Sequence, residues 1–464
     1  MTPARWARAL PVLLGVVLAA CASGDAPLDP DAADLRSLIF WDSLSGQGFL
    51  TAPGPLLRSL DELAVSAHPG ADKYLVDLAN VPTPYATRIL DHLRMRFGRP
   101  GADRLSQFPE LALPPPDDRE TAAYLEFKQQ LFGSIDPAFA LFLSDRWPRT
   151  IDAREVRYGG VGVDVIPPLE FPAYVTPAEA AAWLRADDEV VGVSINGDAR
   201  AFPVRIIAWH EMVNDTIGGA PVSLAYCTLC GSAIAYDGRL RGEVYRFGTS
   251  GLLYRSNKLM YDRTTRTLWN QFTGEPAWGE LAGRGLRLRP IASTYTTWAA
   301  WLAANPETSV LDIDTGYPYG YAPGAAYAAY NASDELMFAV PVDDGRLSPR
   351  DEVFVVRTAD GVSAYAIAGL GTQAVVNDRV GDLPIVVVAT SDGMGARAFE
   401  RGGRSFSAAG EVGALVDESG GRWTVGEDAL TGPGGATLPR VNGSNAFWFA
   451  VANFVGESRL YGAD

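Results

Sequence analysis

Three side chains near the middle of the chain have the types and the spacing to do chemistry. His210 is the only histidine of the central region, and Cys227 and Cys230 form a C-x-x-C pair. Imidazole and thiolate ligands suit copper, zinc or iron, and three protein ligands leave one position on the ion open, as in catalytic metal sites. The first hypothesis is therefore a transition-metal site formed by His210, Cys227 and Cys230 that supports redox or metal-assisted chemistry.

Two other functions fit the same residues. Two cysteines separated by two residues can close a small reactive disulfide, and a nearby protonated histidine would lower a thiol pKa, as in thiol–disulfide oxidoreductases. Alternatively, Cys227 and Cys230 form a local disulfide in a binding or structural module without catalysis, since exported proteins often carry such bonds. The residues leave open whether the protein is an enzyme.

Further polar residues are candidates for completing such a site. Asp215, Asp262 or Tyr254 could complete a metal shell or orient the histidine, and Asp215 is also a catalytic candidate. Positively charged residues in this region, Lys258 among them, could bind an anionic small molecule. The predicted substrate-binding residues are Arg255, Asn257, Asp262 and Arg263.

The local sequence predicts how the three side chains are positioned. A strand over residues 202–207 would be followed by a short connection that carries His210. Gly218 and Gly219 indicate a turn, and the alternation over residues 221–226 predicts a second strand that delivers Cys227. This geometry would bring the imidazole and the two thiols toward one another.

An internal repeat connects this region with the C-terminal part of the chain. Asn214 aligns with Asn377, and the same shift of 163 positions aligns residues from about 191 to 236 without gaps. The shared positions are small, apolar or turn-forming, as a common scaffold requires. At the positions of the three candidate site residues, the second copy carries Gln373, Thr390 and Gly393. We therefore expect a functional site in the first copy only.

These patterns predict an α+β fold. A helical N-terminal region is followed by two tandem β-rich repeats with short helices and mostly antiparallel sheet. The predicted boundaries are a signal peptide with its lipidated cysteine at 1–21, a tether at 22–34, a helical N-terminal domain at 35–155, a first repeat with the Cys/His site at 156–325 and a second, degenerate repeat at 326–464.

The first residues predict export and a lipid anchor. Two arginines precede an apolar run from Leu10 to Ala20, which is too short for a comfortable membrane span. The residues before Cys21 resemble a bacterial lipoprotein box, in which that cysteine is lipidated. By its resemblance to the lipoprotein sorting rule, Ala22 in the next position, in place of Asp, implies the outer membrane more than the inner one in a diderm bacterium. We therefore expect a protein held to the bilayer by an acyl anchor on the periplasmic face.

The composition limits the partners. The net charge is −16, and an acidic surface repels nucleic acid, so we expect no nucleic-acid partner. A small molecule or a metal ion remains the expected ligand. With Cys21 used for the anchor, Cys227 and Cys230 are the only other cysteines of the chain.

Residues from about 160 to 310 closely resemble domain-of-unknown-function family 3179 (DUF3179), a group of mostly exported bacterial and archaeal proteins. The matching phrases, in order, are INGDARAF at 195–202, WHEMVND at 209–215, YCTLCGS at 226–232, FGTSGLLY at 247–254, LMYDR at 259–263 and TLW at 267–269. The resemblance implies no established reaction, so the function must be argued from the chemistry of the residues.

Overall fold

The computed structural model describes residues 61–66, 68, 70–82, 86–112, 119–371 and 375–462. The predicted signal peptide with Cys21, the predicted tether and Gln373 lie outside the described residues. Within the described ranges, no helix combines the length and the apolar character needed to cross a bilayer.

The N-terminal region is helical, as the sequence predicts, and packs on the first β-rich part. Thr121 and Asp136 begin two of its helices by accepting hydrogen bonds from backbone N–H groups of the first turn. Tyr74 and Phe132 share one core with Trp278 of the β-rich part. Residues 61–65 are helical. The further helices of the described chain are α1 (Ala71–Asn80), α2 (Ala86–Arg96), α3 (Ala122–Gly133), α4 (Pro137–Phe142), α5 (Pro177–Ala180), α6 (Val204–His210), α7 (Trp298–Ala304), α8 (Ala328–Asn331), α9 (Ile367–Leu370) and α10 (Trp448–Phe454).

The first β-rich part contains three five-stranded sheets. The strands are β1 (Val156–Tyr158), β2 (Leu169–Glu170), β3 (Tyr174–Val175), β4 (Glu189–Ile195), β5 (Asp198–Pro203), β6 (Met212–Ile217), β7 (Ala220–Cys227), β8 (Ser232–Asp237), β9 (Arg239–Leu240), β10 (Glu243–Val244), β11 (Phe247–Tyr254), β12 (Asn257–Asp262), β13 (Leu268–Asn270), β14 (Pro276–Trp278), β15 (Pro290–Ile291), β16 (Ser293–Thr297) and β17 (Ser309–Leu311). The sheet orders are β1-β11-β12-β13-β14, β15-β8-β7-β6-β2 and β16-β4-β5-β17-β3, with a separate β9–β10 pair. Most pairs are antiparallel; β2 with β6 and β5 with β17 are parallel.

The second β-rich part contains a four-stranded and an eight-stranded sheet. Its strands are β18 (Glu352–Arg357), β19 (Val362–Ala366), β20 (Val375–Val380), β21 (Leu383–Ala389), β22 (Ala396–Glu400), β23 (Phe406–Ala408), β24 (Ala414–Asp417), β25 (Arg422–Val425), β26 (Ala429–Thr431), β27 (Thr437–Val441), β28 (Gly443–Phe447) and β29 (Arg459–Tyr461). The orders are β28-β18-β19-β29 and β20-β21-β22-β27-β26-β25-β24-β23. The α+β class with mostly antiparallel sheet is thus confirmed.

One local prediction is wrong. The strand expected over residues 202–207 ends at Pro203, and α6 begins at Val204. Ile206 and His210 are four residues apart and both buried, so the apolar run follows the period of a helix. A short apolar run does not by its pattern alone distinguish a buried strand from a helix.

One polar clamp occurs in both β-rich parts at equivalent positions. The Asn214 side chain donates to the backbone carbonyl of Phe247 (2.8 Å) and accepts from its N–H (3.0 Å). Asn377 makes the same pair of bonds with Phe406 at 2.7 and 2.8 Å. Both phenylalanines pack edge-on against a buried tryptophan. The equivalence therefore extends beyond the segment that aligns in the sequence.

Two half-buried carboxylates join the two parts along a seam formed by β16 of the first part and the β22–β28 region of the second. Asp392 accepts hydrogen bonds from the Thr296 hydroxyl (2.6 Å) and the Thr297 N–H (2.5 Å). Glu427 accepts from the Thr294 hydroxyl (2.9 Å) and pairs with Arg397 and Arg440. Burial raises the pKa of Glu427, but the charges and hydrogen bonds of both arginines outweigh burial and lower it to about 2.

The pKa of Glu427 predicts acid-sensitive stability of the seam. The folded pKa of about 2 lies below the unfolded value of about 4.3. The stabilisation is therefore fully present above about pH 4.3 and is lost as the pH falls toward 2. Glu427→Gln should lower the unfolding free energy at pH 7 by about 2–3 kcal/mol, because two arginines lose their partner, and should flatten the acid limb of stability against pH.

Urea unfolding between pH 2 and 7 measures both effects. Glu411→Gln is the matched control, because Glu411 pairs with Arg422 at an exposed position, where a salt bridge contributes little. Equal losses in the two variants would contradict the prediction.

Candidate functional site

The two cysteines are held side by side by a tight loop between central strands. β7 ends at Cys227, a single 3₁₀ turn (Thr228–Cys230) follows, and β8 begins at Ser232, which pairs directly with Cys227. Gly231 closes the turn in the left-handed region (φ 56°), where a Cβ atom would lie 2.8 Å from the Phe447 ring. The loop therefore needs a glycine here.

Both thiols are free, buried and in contact. The Cys227 and Cys230 Sγ atoms are 3.1 Å apart. A disulfide bond is about 2.05 Å long, and two sulfurs bound tetrahedrally to one zinc ion at about 2.3 Å each lie roughly 3.8 Å apart. The observed spacing suits two thiols that share a proton and could form a bond after a small movement.

The surroundings make the two sulfurs unequal. Burial raises the pKa of Cys227, and the Glu211 charge acts in the same direction. The hydrogen bond with Cys230 lowers it, as do the backbone N–H and the ammonium charge of Lys258. The lowering contributions are larger, so the pKa of Cys227 lies below its ordinary value. Burial and the neighbouring Cys227 raise the pKa of Cys230 well above its ordinary value, although the Asn257 amide donates to its sulfur at 3.2 Å. Cys227 is therefore the thiol that ionises first.

A buried glutamate and lysine lie beside Cys227. Lys258 Nζ contacts the Glu211 carboxylate at 3.3 Å and donates to the Glu211 backbone carbonyl at 2.8 Å. The Tyr327 hydroxyl donates to the other carboxylate oxygen at 2.7 Å. Glu211 has a left-handed backbone (φ 55°) and ends α6. Such strain in a non-glycine residue concentrates at functional sites.

His210 does not meet the cysteines. Its Nδ1 lies 2.7 Å from the Pro167 carbonyl and its Nε2 lies 2.6 Å from the Tyr321 hydroxyl, so both ring nitrogens have protein partners. Burial lowers the pKa of His210, although the hydrogen bond with the Pro167 carbonyl acts to raise it. Because Glu211 turns the chain, it is Glu211 that faces the thiols, while the imidazole packs among tyrosines.

The predicted carboxylates have structural surroundings. Asp215 accepts from the Tyr174 hydroxyl and pairs with Arg200, both at 2.6 Å. Asp262 is fully buried and accepts from the Trp269 indole N–H at 2.9 Å and from a following turn. Asp417 of the second part accepts from Trp423 in the same way. The second part has no cysteines, yet Asp417 makes the same bond to a tryptophan as Asp262 does. This bond therefore belongs to the scaffold and not to the thiol site.

Of the predicted substrate-binding residues, only Asn257 reaches a thiol. Its amide donates to Cys230 and, at 2.8 Å, to Gln271 Oε1. Arg255 pairs with Glu155 and donates to the Asn453 carbonyl, which ties three parts of the chain together. Arg263 pairs with two carboxylates on the surface of the first part.

A small cavity of about 40 Å³ lies beside the thiol of Cys227, which is itself only 2% exposed. Glu211, Lys258 and Ser250 also line it, and the segment that connects the two β-rich parts covers it with Tyr327 and Met337. Met337 is 38% exposed, so the cavity lies close to the surface. Sequence reasoning did not select Glu211 or Tyr327.

The predicted metal ligands are therefore not brought together. In the described part of the chain, no group of three or more His, Cys, Asp or Glu side chains converges in a way that could hold a metal ion. The side chains that do converge are the two thiols, an ammonium group, a carboxylate and a phenol. This set can hold a thiolate and exchange its proton.

Comparisons with known proteins give a family and no activity. Residues 163–458 match the family model described as protein of unknown function (DUF3179). This range includes both β-rich parts except the first strand, β1, and the last strand, β29. No curated protein and no solved structure matches the chain.

Proposed function

This chain belongs to the DUF3179 family, whose description names no activity. We propose, from the geometry of the site, that Cys227 and Cys230 form a dithiol–disulfide redox centre. Cys227 is the attacking thiolate and Cys230 the resolving thiol. The observation that carries the proposal is the pair of free, unequal sulfurs 3.1 Å apart. Thiolate, not thiol, is the nucleophile in disulfide exchange, so the thiol with the lower pKa attacks.

The reaction with a small disulfide R–S–S–R proceeds in two steps. The Cys227 thiolate attacks one sulfur, the R–S–S–R bond breaks, and the first RS⁻ leaves and takes a proton from solvent. Cys230 then attacks Cys227 Sγ, the mixed disulfide breaks, and the Cys230 proton goes to the second RS⁻. The protein dithiol is oxidised by two electrons, and the substrate is reduced to two thiols.

The neighbouring groups have distinct parts in this scheme. The Lys258 N–H and ammonium group stabilise the Cys227 thiolate. Asn257 holds the Cys230 sulfur in reach by donating to it at 3.2 Å. Glu211 neutralises the lysine, at 3.3 Å, so that the pocket is not strongly cationic when Cys227 is protonated. The cavity beside Cys227, of about 40 Å³, has room for the sulfur atom that is attacked.

The proposed place of action is outside the cytoplasm, on a lipid tether. The apolar run at residues 10–20, followed by Cys21, supports this proposal. Disulfides form and persist in such compartments, so a disulfide substrate or partner is available there. A reducing role would then need a thiol donor to restore the dithiol state.

Redox titration tests the proposal. The test uses the chain from residue 22 onward, in which Cys227 and Cys230 are the only cysteines. The protein is equilibrated with mixtures of a dithiol and its disulfide, and its free thiols are then alkylated. Mass spectrometry of the intact protein counts the alkylated thiols. Both thiols should disappear together in one two-electron transition, at a potential above about −300 mV, where labile disulfides lie.

Three results would overturn it. Thiols that stay free at the oxidising end would exclude disulfide formation, and a disulfide with a potential well below about −300 mV would indicate a structural bond. Near-stoichiometric copper, zinc or iron that protects both thiols and falls in Cys227→Ser would favour the metal hypothesis.

A further inference from the structure

A second, larger cavity of about 650 Å³ lies where the two β-rich parts meet; we call it the seam cavity. It is separate from the small cavity at Cys227, although Thr228 lines both. Its volume is in the range of small-molecule sites. Residues of the first part, the connecting segment and the second part all contribute to its walls.

Two glutamates at equivalent positions of the repeat line this cavity. Glu189 is the first residue of β4, and Glu352, 163 positions later, is the first residue of β18. Glu189 accepts a hydrogen bond from the Tyr295 hydroxyl at 2.5 Å. Within the described ranges, neither carboxylate has a Lys or Arg nitrogen within 4.0 Å, and Glu352 has no hydrogen-bond donor. Both side chains are exposed at the cavity wall. Partial loss of hydration there and the charge of Glu189 raise the pKa of Glu352.

The charge of the whole lining is acidic. Five carboxylates and three arginines line the cavity. Arg205 is used by Asp188 and by two backbone carbonyls. Arg350 donates to the Tyr330 carbonyl and stacks on Tyr330 and Phe447. Arg205 and Arg350 are thus held by other partners, and Arg185 is exposed. Within the described ranges, none of the three arginines forms an ion pair with Glu189 or Glu352.

A tyrosine provides an independent sign of a ligand. Tyr226, next to Cys227, lines the cavity and is only 6% exposed. Its hydroxyl makes no hydrogen bond with any residue in the described ranges. The hydroxyl is therefore available to a molecule bound in the cavity, as the polar groups of buried side chains normally have a partner. The rings of Tyr226, Tyr295 and Phe447 add aromatic surface, which attracts cations.

We propose that the seam cavity binds a small organic cation with a primary ammonium group, held by Glu189 and Glu352 and by the Tyr226 hydroxyl. Uncompensated carboxylates favour a cation, and the volume exceeds the needs of a bare metal ion. The ligand bridges the two copies of the repeat, since each supplies one glutamate. This proposal does not depend on the redox function of Cys227 and Cys230.

Calorimetric titration of the chain from residue 22 onward with 1,4-diaminobutane tests the site, with 1,4-butanediol as the neutral analogue of equal length. One diamine per chain should bind, and the diol should not. Glu189→Gln and Glu352→Gln should each weaken binding at least about tenfold, and Tyr226→Phe should weaken it less.

Glu243→Gln is the matched control, because it removes the same charge from an exposed position outside the cavity lining. Equal binding of diamine and diol to the wild-type protein would overturn the proposal, and this comparison needs no variant to fold. Equal weakening in Glu243→Gln and Glu352→Gln would also overturn it, because only the net charge would then matter.

Discussion

Cys227→Ser is expected to abolish disulfide exchange, whereas Cys230→Ser is expected to stop the reaction at a mixed disulfide. Cys227 carries the lowered thiol pKa and lines the small cavity, and Cys230 is fully buried behind it. A serine hydroxyl is a far weaker nucleophile than a thiolate, so the exchange rate should fall by roughly three orders of magnitude or more. Without Cys230 the first step remains, but the intermediate cannot be resolved.

Incubation with a small disulfide such as cystamine, followed by intact-mass measurement, distinguishes the two variants. Cys230→Ser should gain the mass of one half-disulfide, and Cys227→Ser should remain unmodified. Thr390→Ser is the matched control, because Thr390 occupies the position equivalent to Cys227 and its hydroxyl contacts are retained by serine. If Cys227→Ser gains the half-disulfide mass and Cys230→Ser does not, the roles assigned to the two cysteines are reversed.

Asp77→Leu is expected to destabilise the N-terminal helices by about 3–5 kcal/mol, because it leaves a buried ammonium group without its counter-charge. Lys128 Nζ donates to both Asp77 oxygens at 2.8 and 3.0 Å and to the Val156 carbonyl at 2.8 Å. The Tyr124 hydroxyl donates to the same carboxylate at 2.7 Å. Burial lowers the pKa of Lys128 to about 8, even though the charge of Asp77 raises it.

Hydrogen exchange over residues 71–158 measures this loss locally. The double variant Asp77→Leu/Lys128→Met should recover most of the stability, because an apolar pair of similar volume replaces the ion pair. Lys128→Met alone should also be destabilising, since it leaves the buried carboxylate with only the more distant Arg157, at 3.9 Å, as a counter-charge. A double variant that is less stable than Asp77→Leu would contradict the expectation.

The two copies of the repeat show how a shared loop acquires different tasks. In the second copy the loop after β21 carries Asp392, whose carboxylate joins the copies by accepting from Thr296 and Thr297. In the first copy the equivalent loop carries the two thiols, and the Tyr330 hydroxyl donates to the Leu229 carbonyl at its tip. One loop therefore joins the two parts, while the other carries the two thiols.

The sequence by itself determined the scaffold and half of the site. Alternating strands, turn glycines and helix caps are local signals in the sequence. The alignment of the repeat pairs Asn214 with Asn377, and these two side chains make the same clamp in the structure. The C-x-x-C spacing was enough to place Cys227 and Cys230 together, because three residues of one turn cannot separate them far.

Only the tertiary structure decided which groups surround the thiols. One left-handed residue, Glu211, turned His210 away from them and brought its own carboxylate toward them. Lys258 lies on β12, a strand of another sheet, and acts on Cys227 from there. Tyr327 lies on the connecting segment and donates to Glu211. Such partners depend on long-range packing and on a single backbone angle, and neither leaves a periodic signal in the sequence.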